Sequence, residues 1–249
     1  MSPAYIRSLL ITDPIIILAT IIMGTISLLV SLFDSQGRVQ HQISRVWSRM
    51  LLMVSGVRME IEGLEKIDLQ GAYVFVANHR SLMDTPVVLA HIPLQFRFLA
   101  KRGLFMIPIL GTHLRRAGHL PVVKGDPRAS LRSMSDAARI IRERGVSVLL
   151  FPEGGRSQDD TLLEFREGAA YIAIKAGVPV VPVALIGTRN VLKMGSMQIM
   201  SGVVKLRIGD PVDTSRLTLK DRSTLTHALR EKVGELLMNE SVSEPQKTR

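Results

Sequence analysis

Hydrophobic positions along this chain change pattern near residue 35 and again near residue 60. From Ile15 to Phe33 they form an almost continuous run without one charged side chain. At ~1.5 Å per helical residue, that run is about long enough to cross a thin hydrocarbon core. Asp13-Pro14 and Asp34-Ser35-Gln36-Gly37 flank it as stop signals. From Arg38 to Val57 the pattern becomes amphipathic. Ile43, Val46, Trp47, Met50, Leu51 and Val54 recur at helical spacing, with Arg38, Gln42, Arg45 and Arg49 mostly opposite. Basic residues facing an apolar stripe that includes the chain's single Trp suit a helix lying in a membrane interface. The expectation is a pair of helices holding the chain on one leaflet, with Ile15, Phe33, Arg45, Trp47 and Arg49 as membrane contacts. Whether the first helix crosses or re-enters stays open. A signal peptide would be shorter and followed by a small-residue cleavage site, and a core helix would also be shorter.

Beyond residue 60 short apolar runs alternate with helical periodicity. Strands are expected at Tyr73–Ala77, Arg97–Ala100, Leu120–Val123, Val146–Phe151, Val178–Ile186 and Val203–Ile208. The clearest helix opens at Asp126-Pro127, places Leu131, Met134, Ala138 and Ile141 on one face, and stops at Gly145. Others cover Gly168 to Ala176 and Asp221 to Asn239. This alternation predicts an α/β fold with a mixed, largely parallel sheet flanked by helices and preceded by the membrane-associated helix pair. The division expected is 1–58 for the helix pair, 59–240 for the α/β domain and 241–249 for a flexible tail.

Composition sharpens this picture. A net charge of +10 beside a positive mean hydropathy of +0.22 favours an anionic membrane surface or a phosphorylated ligand. Aromatic residues make up only 4%, and no zinc-finger or RNA-binding pattern appears, so nucleic acid is not expected. The chain has no cysteine, which excludes a disulfide, a thiolate nucleophile and a Cys-based zinc site. The six histidines are scattered, and no metal site is expected.

The candidate chemistry sits where strands end. Asn78-His79-Arg80-Ser81-Leu82-Met83-Asp84 follows an apolar strand and leads into a helix, with Asp84 as cap and Pro86 in the first turn. A histidine there can take a proton from a hydroxyl, and a carboxylate five residues on can fix its tautomer. Phe151-Pro152-Glu153-Gly154-Gly155-Arg156-Ser157 repeats the logic. Two glycines let backbone N–H groups approach an anion, and Arg156 can grip phosphate oxygens in a fork. Glu153 either orients that arginine or meets a ligand hydroxyl. Lys101 and Lys124 each end another strand. If those strands are parallel neighbours, Lys101, Lys124, Arg156 and His79 emerge at one edge of the sheet.

Four blocks together carry a resemblance: Asn78-His79 with Asp84, Lys101 to Gly111, Phe151 to Ser157, and Val180-Val181-Pro182-Val183-Ala184. In this order they resemble the glycerolipid acyltransferases, most closely the bacterial 1-acylglycerol-3-phosphate acyltransferases, over roughly residues 60 to 215. The resemblance implies transfer of a fatty acyl group from acyl-CoA or acyl-carrier protein to the sn-2 hydroxyl of lysophosphatidate, with no further cofactor. It implies His79 as general base and Asp84 as its partner. Arg156, Lys101 and Lys124 would hold the glycerol phosphate, and Asn78, Glu153, Gly154 and Gly155 would complete the acceptor pocket. The cytoplasmic face of a bacterial inner membrane is the implied location. Two positions depart from the family pattern: Gly155 stands where Thr is usual, and Val123-Lys124 where an acid followed by Arg is usual. These bear on the acceptor headgroup more than on the reaction. Other readings are an acyltransferase for a different lyso-lipid, a lipid-binding protein without chemistry, and a lipid hydrolase. Direct attack is expected over an acyl-enzyme, with Ser81 the one serine kept as a candidate nucleophile.

Overall fold

The computed structural model describes residues 3–123, 125–157, 159, 161–196 and 198–238. Lys124 and the 241–249 tail, both singled out above, lie outside the described residues. The first helical rod combines α1 (Pro3–Arg7), a π-helical turn over Ser8–Thr12, and α2 (Asp13–Val30). The expected stop at Asp13-Pro14 is thus overrun. Proline lacks an N–H and crowds the carbonyl four residues back, and the wider π turn before it absorbs both defects. Ser8 fixes the rod to the rest of the molecule by donating to Asp13 and accepting from the Ile199 N–H at 2.9 Å.

Helix α3 (Arg38–Val54) ends sooner than its apolar periodicity suggests, because Gly56 takes a left-handed φ of +70° and turns the chain. Strand β1 (Val57–Glu62) follows, which the sequence reading missed. The remaining strands are β2 (Val74–Ala77), β3 (Phe96–Lys101), β4 (Leu120–Val122), β5 (Ser147–Leu150), β6 (Val180–Ile186) and β7 (Gly202–Ile208). Among the described residues, these seven form one sheet in the order β1-β7-β6-β2-β5-β3-β4. Every pairing is parallel except β6 with β7. The carboxyl ends of β2, β3, β4, β5 and β6 therefore share one edge.

The helices are α4 (Asp84–His91), α5 (Leu110–Arg116), α6 (Pro127–Arg144), α7 (Gly168–Ala176), α8 (Thr188–Val191) and α9 (Arg222–Met238). Helix α6 has the ends its sequence promises: Asp126 Oδ1 accepts from the Ala129 N–H at 2.9 Å, and Gly145 closes it at φ +61°. The pleat of β2 sorts the core into two. Phe75 and Ala77 face a layer built with α3 and α4, while Val74 and Val76 face α6, α7 and α9. Leu51 and Leu52 of α3 belong to the first layer, so the boundary expected near residue 58 does not separate two cores.

Polar side chains of α3 also tie it to α2, α4 and the loop after α4. Arg45 and Arg49 donate to the carbonyl oxygens of Pro93 and Ala90, both at 3.3 Å, where they complement the carboxyl end of α4. Trp47 bonds Thr20 of α2 through Nε1 at 3.0 Å. Each of these three side chains makes a bond within the protein, and Arg49 stays exposed. Ile15 and Phe33 are exposed, Phe33 to 90%.

A histidine cluster lies under the α2–α3 turn. His41 packs edge-on against Phe96, and His119 Nδ1 accepts from the Phe98 N–H at 3.0 Å. Burial, then the nearby Arg97 and Arg45 charges, lowers His41 to about 4. Burial also lowers His91, His113 and His119. A folded-state value below the unfolded one means that acid protonates the unfolded chain first. This stability is complete above pH 6.5 and is lost as pH falls toward about 4. For His41 alone the loss is on the order of 3 kcal/mol at most. Thermal unfolding in detergent is expected at a clearly lower temperature at pH 5 than at pH 7.5. In His41→Phe that difference shrinks; an unchanged difference rejects the assignment.

Candidate active site

Two loops at the carboxyl ends of neighbouring strands form the site. Strand β2 pairs with β5 through Val76↔Leu150, so the segments beginning at Asn78 and Phe151 leave the sheet side by side. Backbone bonds then lock them together. The His79 N–H donates to Glu153 Oε1 at 2.7 Å, and the Ser157 N–H donates to the His79 carbonyl at 2.9 Å. The second Glu153 oxygen accepts from the Leu163 N–H at 3.1 Å. Glu153 is thus a buried brace for three loop segments. Burial raises its pKa above the ordinary glutamate value, opposed by the two N–H groups it accepts from.

His79 Nδ1 lies 2.7 Å from Asp84 Oδ2. Asp84 is fully buried, and the same oxygen accepts from the Arg80 N–H at 2.7 Å and the Ser81 N–H at 2.8 Å. The sequence suggested that Asp84 caps the helix that it starts. Instead its carboxylate turns back into the His79–Ser81 turn, and α4 has no side-chain cap at its amino end. The imidazole is further held flat on Phe151, with ring centroids 4.1 Å apart and planes 13° from parallel. Its side chain is 19% exposed. With Nδ1 committed to Asp84, Nε2 is the nitrogen left to meet a proton on a ligand.

Asn78 points elsewhere. It is fully buried, its amide donates to the Leu185 carbonyl at 2.9 Å, and its oxygen accepts from the Leu185 N–H at 2.7 Å. It clamps β2 to β6 and presents nothing to the cleft. Ser81 is also spent: its hydroxyl donates to the Leu192 carbonyl at 2.7 Å and accepts from the Met83 N–H. This buried serine is not a free nucleophile.

Gly154 has φ +71°, and a Cβ there would stand 2.7 Å from Arg166 Nε. The left-handed φ favours glycine, while the Arg166 side chain could move aside for a Cβ. The Gly154 N–H donates to the Phe151 carbonyl at 3.1 Å, so it is not the anion donor that the double glycine suggested. A Cβ on Gly155 would meet open space. Arg156 follows, partly exposed, and among the described residues its guanidinium has no protein partner. Lys101, exposed at the end of β3, is likewise unpartnered among the described residues. Counting on from the Phe98↔Leu149 pairing sets Lys101 level with the Pro152-Glu153 turn. One edge thus gathers a buried-carboxylate–imidazole pair and two unneutralised cations. Among the described residues no three of His, Asp and Glu stand together as a metal site.

Three members of the site escaped the sequence reading. In the sequence Phe151 reads as the end of a strand and Ser157 only as part of a motif, while Leu163 carries no signal at all. The ring stacking and the two N–H bonds are tertiary contacts without a local signature.

Comparison with known proteins adds an independent finding. A family model described as Acyltransferase matches residues 58–186. A chloroplast 1-acyl-sn-glycerol-3-phosphate acyltransferase of Brassica napus is 34% identical over 193 residues, covering 76% of this chain and 55% of that protein. An Arabidopsis thaliana relative of the same description is 35% identical, over 52% of its length. The chain therefore spans about half the length of these plant relatives. The 1-acyl-sn-glycerol-3-phosphate acyltransferase of Haemophilus influenzae is 30% identical, covering 64% of this chain and 67% of that protein. The crystal structure of the 1-acyl-sn-glycerophosphate acyltransferase PlsC from Thermotoga maritima superimposes with a TM-score of 0.75 at 28% identity, covering 94% of this chain and 97% of that one.

Proposed function

The chain belongs to the acyltransferase family, and from that premise we propose that it acylates the sn-2 hydroxyl of 1-acyl-sn-glycerol-3-phosphate to give phosphatidate. The acyl donor is a thioester of coenzyme A or of acyl-carrier protein, and the chemistry calls for no other cofactor. The observation that carries this reading is the pairing of His79 with Asp84 at 2.7 Å beside a loop that presents Arg156.

The geometry supports the following steps. Arg156 and Lys101, with Lys124 as a third candidate, hold the acceptor's phosphate and so fix where its hydroxyl lies. His79 Nε2 takes the hydroxyl proton as the oxygen attacks the thioester carbonyl. Asp84 holds the Nδ1 tautomer and steadies the imidazolium. The tetrahedral adduct collapses with cleavage of the C–S bond, and the imidazolium returns its proton to the leaving thiolate. No covalent acyl-enzyme is involved. Glu153 acts by bracing the His79 and Leu163 backbones. On this reading the protein works at the cytoplasmic face of a bacterial inner membrane, and the exposed apolar side chains of α2 support attachment there.

Arg156→Ala is expected to raise the acceptor KM about tenfold to a hundredfold, matching the loss of charge-assisted bonds worth ~1.5–3 kcal/mol. The kcat should change little, because the phosphate is gripped equally in ground and transition states. A fall confined to kcat would reject the assignment. A second reading, acylation of a lyso-lipid with another headgroup, draws on the open space beside Gly155. Testing lyso-acceptors of several headgroups with a single acyl donor separates the two. Preference for the phosphomonoester supports the first, and preference for a larger headgroup supports the second.

A further inference from the structure

The segment between β3 and α5 carries an exposed apolar tip that the proposed chemistry leaves unused. Leu104, Met106, Ile107, Ile109 and Leu110 are all exposed, Met106 to 73% and Ile109 to 66%. The tip is tightly folded at its base. Phe105 is buried beneath it, and the Arg115 guanidinium donates to the Phe105 carbonyl. A Cβ on Gly111 would come within 2.1 Å of that same carbonyl oxygen, so the chain closes there on bare backbone.

Ile109 has φ +65° and ψ −62°, and the Leu110 N–H reaches back to the Pro108 carbonyl at 2.7 Å. A β-branched residue in that region costs about 1–3 kcal/mol, and glycine would relieve it. A strained, outward-facing isoleucine does not serve the stability of the isolated fold. It supplies apolar surface.

That surface continues a larger one. Helix α5, which follows the tip, binds α2 through Ser27 Oγ and His113 Nδ1 at 3.0 Å, and binds the residue just past the end of α2 through Arg116 and Ser31 Oγ at 3.2 Å. The outward side of α2 is apolar along its length. Exposed cations stand on both sides of the tip: Lys101 and Arg102 before it, Arg115 and Arg116 after it. Apolar side chains ringed by cations match a leaflet with anionic headgroups. A second copy of the chain fits less well, since it brings the same basic ring and the same +10 charge.

We propose that residues 104–110 form a second membrane-inserting element, a rigid apolar finger that enters the same leaflet as α2. Because Lys101 lies at its base, the finger brings the sheet edge with His79 down to headgroup level.

The absence of cysteine allows a single fluorescent label, at Met106→Cys or, as control, at the exposed Leu69→Cys before β2. The whole 249-residue chain would be reconstituted in vesicles of equimolar phosphatidylglycerol and phosphatidylethanolamine. Some lipids would carry a nitroxide near the headgroup end of an acyl chain. Insertion of ~5–10 Å predicts an about twofold or larger nitroxide-dependent loss of fluorescence at Met106 and little at Leu69. Iodide in the aqueous phase should quench in the reverse order. Equal iodide quenching at both sites overturns the proposal. So does shielding of Met106 that depends on protein concentration and not on nitroxide lipid, which would mark contact between copies. The readout needs no turnover, so its failure is distinct from failure of the acyl-transfer reading.

Discussion

Replacing His79 by Ala is expected to lower kcat for acyl transfer by about 10²–10⁴-fold, the range that a positioned general base supplies. The acceptor KM should move little, because the ring is not asked to hold the phosphate. The fold should survive. The backbone bond from His79 N–H to Glu153 and the bond from Ser157 to the His79 carbonyl involve no side-chain atom of His79. What is lost is the stacking on Phe151 and the bond to Asp84. Steady-state kinetics with detergent-dispersed acceptor, alongside the unfolding temperature, provide the check. Wild-type activity in a folded variant would remove the general base from the mechanism.

Asp84→Asn separates charge from geometry. The carboxylate uses Oδ2 for three bonds, while Oδ1 is buried without a partner among the described residues. An amide oxygen in the Oδ2 position keeps all three bonds and leaves an NH₂ group where Oδ1 stood. The imidazole then stays oriented but loses the anion that steadies its protonated form. A kcat fall of about 10²–10⁴-fold is expected, comparable to the loss at His79. The buried, unpaired NH₂ should also cost about 1–3 kcal/mol of stability. The double variant with His79→Ala should be scarcely slower than either single variant, because the two residues act as a unit. Fully multiplicative losses would mean that Asp84 acts independently of His79.

The parts of this molecule legible in its sequence were those with local causes. The buried run at β2, the five-residue spacing of His79 and Asp84, and the Asp126-Pro127 and Gly145 ends of α6 are encoded within a few residues. Parallel pairing of β2, β5 and β3 then sufficed to bring His79, Arg156 and Lys101 to one edge. Less visible were contacts made at a distance. Asn78 looks like part of a catalytic motif, yet Leu185 claims both of its polar atoms. Arg45 and Arg49 look interfacial on a helical wheel, but α4 and its following loop offer them carbonyl oxygens. Strand β1 was hidden because its alternating residues abut an amphipathic helix whose period continues almost to Val57. Pro14 read as a boundary because a π turn leaves no trace in composition.

The most direct test supplies the purified protein with lysophosphatidate and an acyl thioester labelled in the fatty chain, and identifies the labelled product. The account predicts label in phosphatidate at the sn-2 position, formed only when the acceptor is present and essentially lost in His79→Ala. Label recovered as free fatty acid without acceptor, or no turnover with any lyso-lipid, would contradict it.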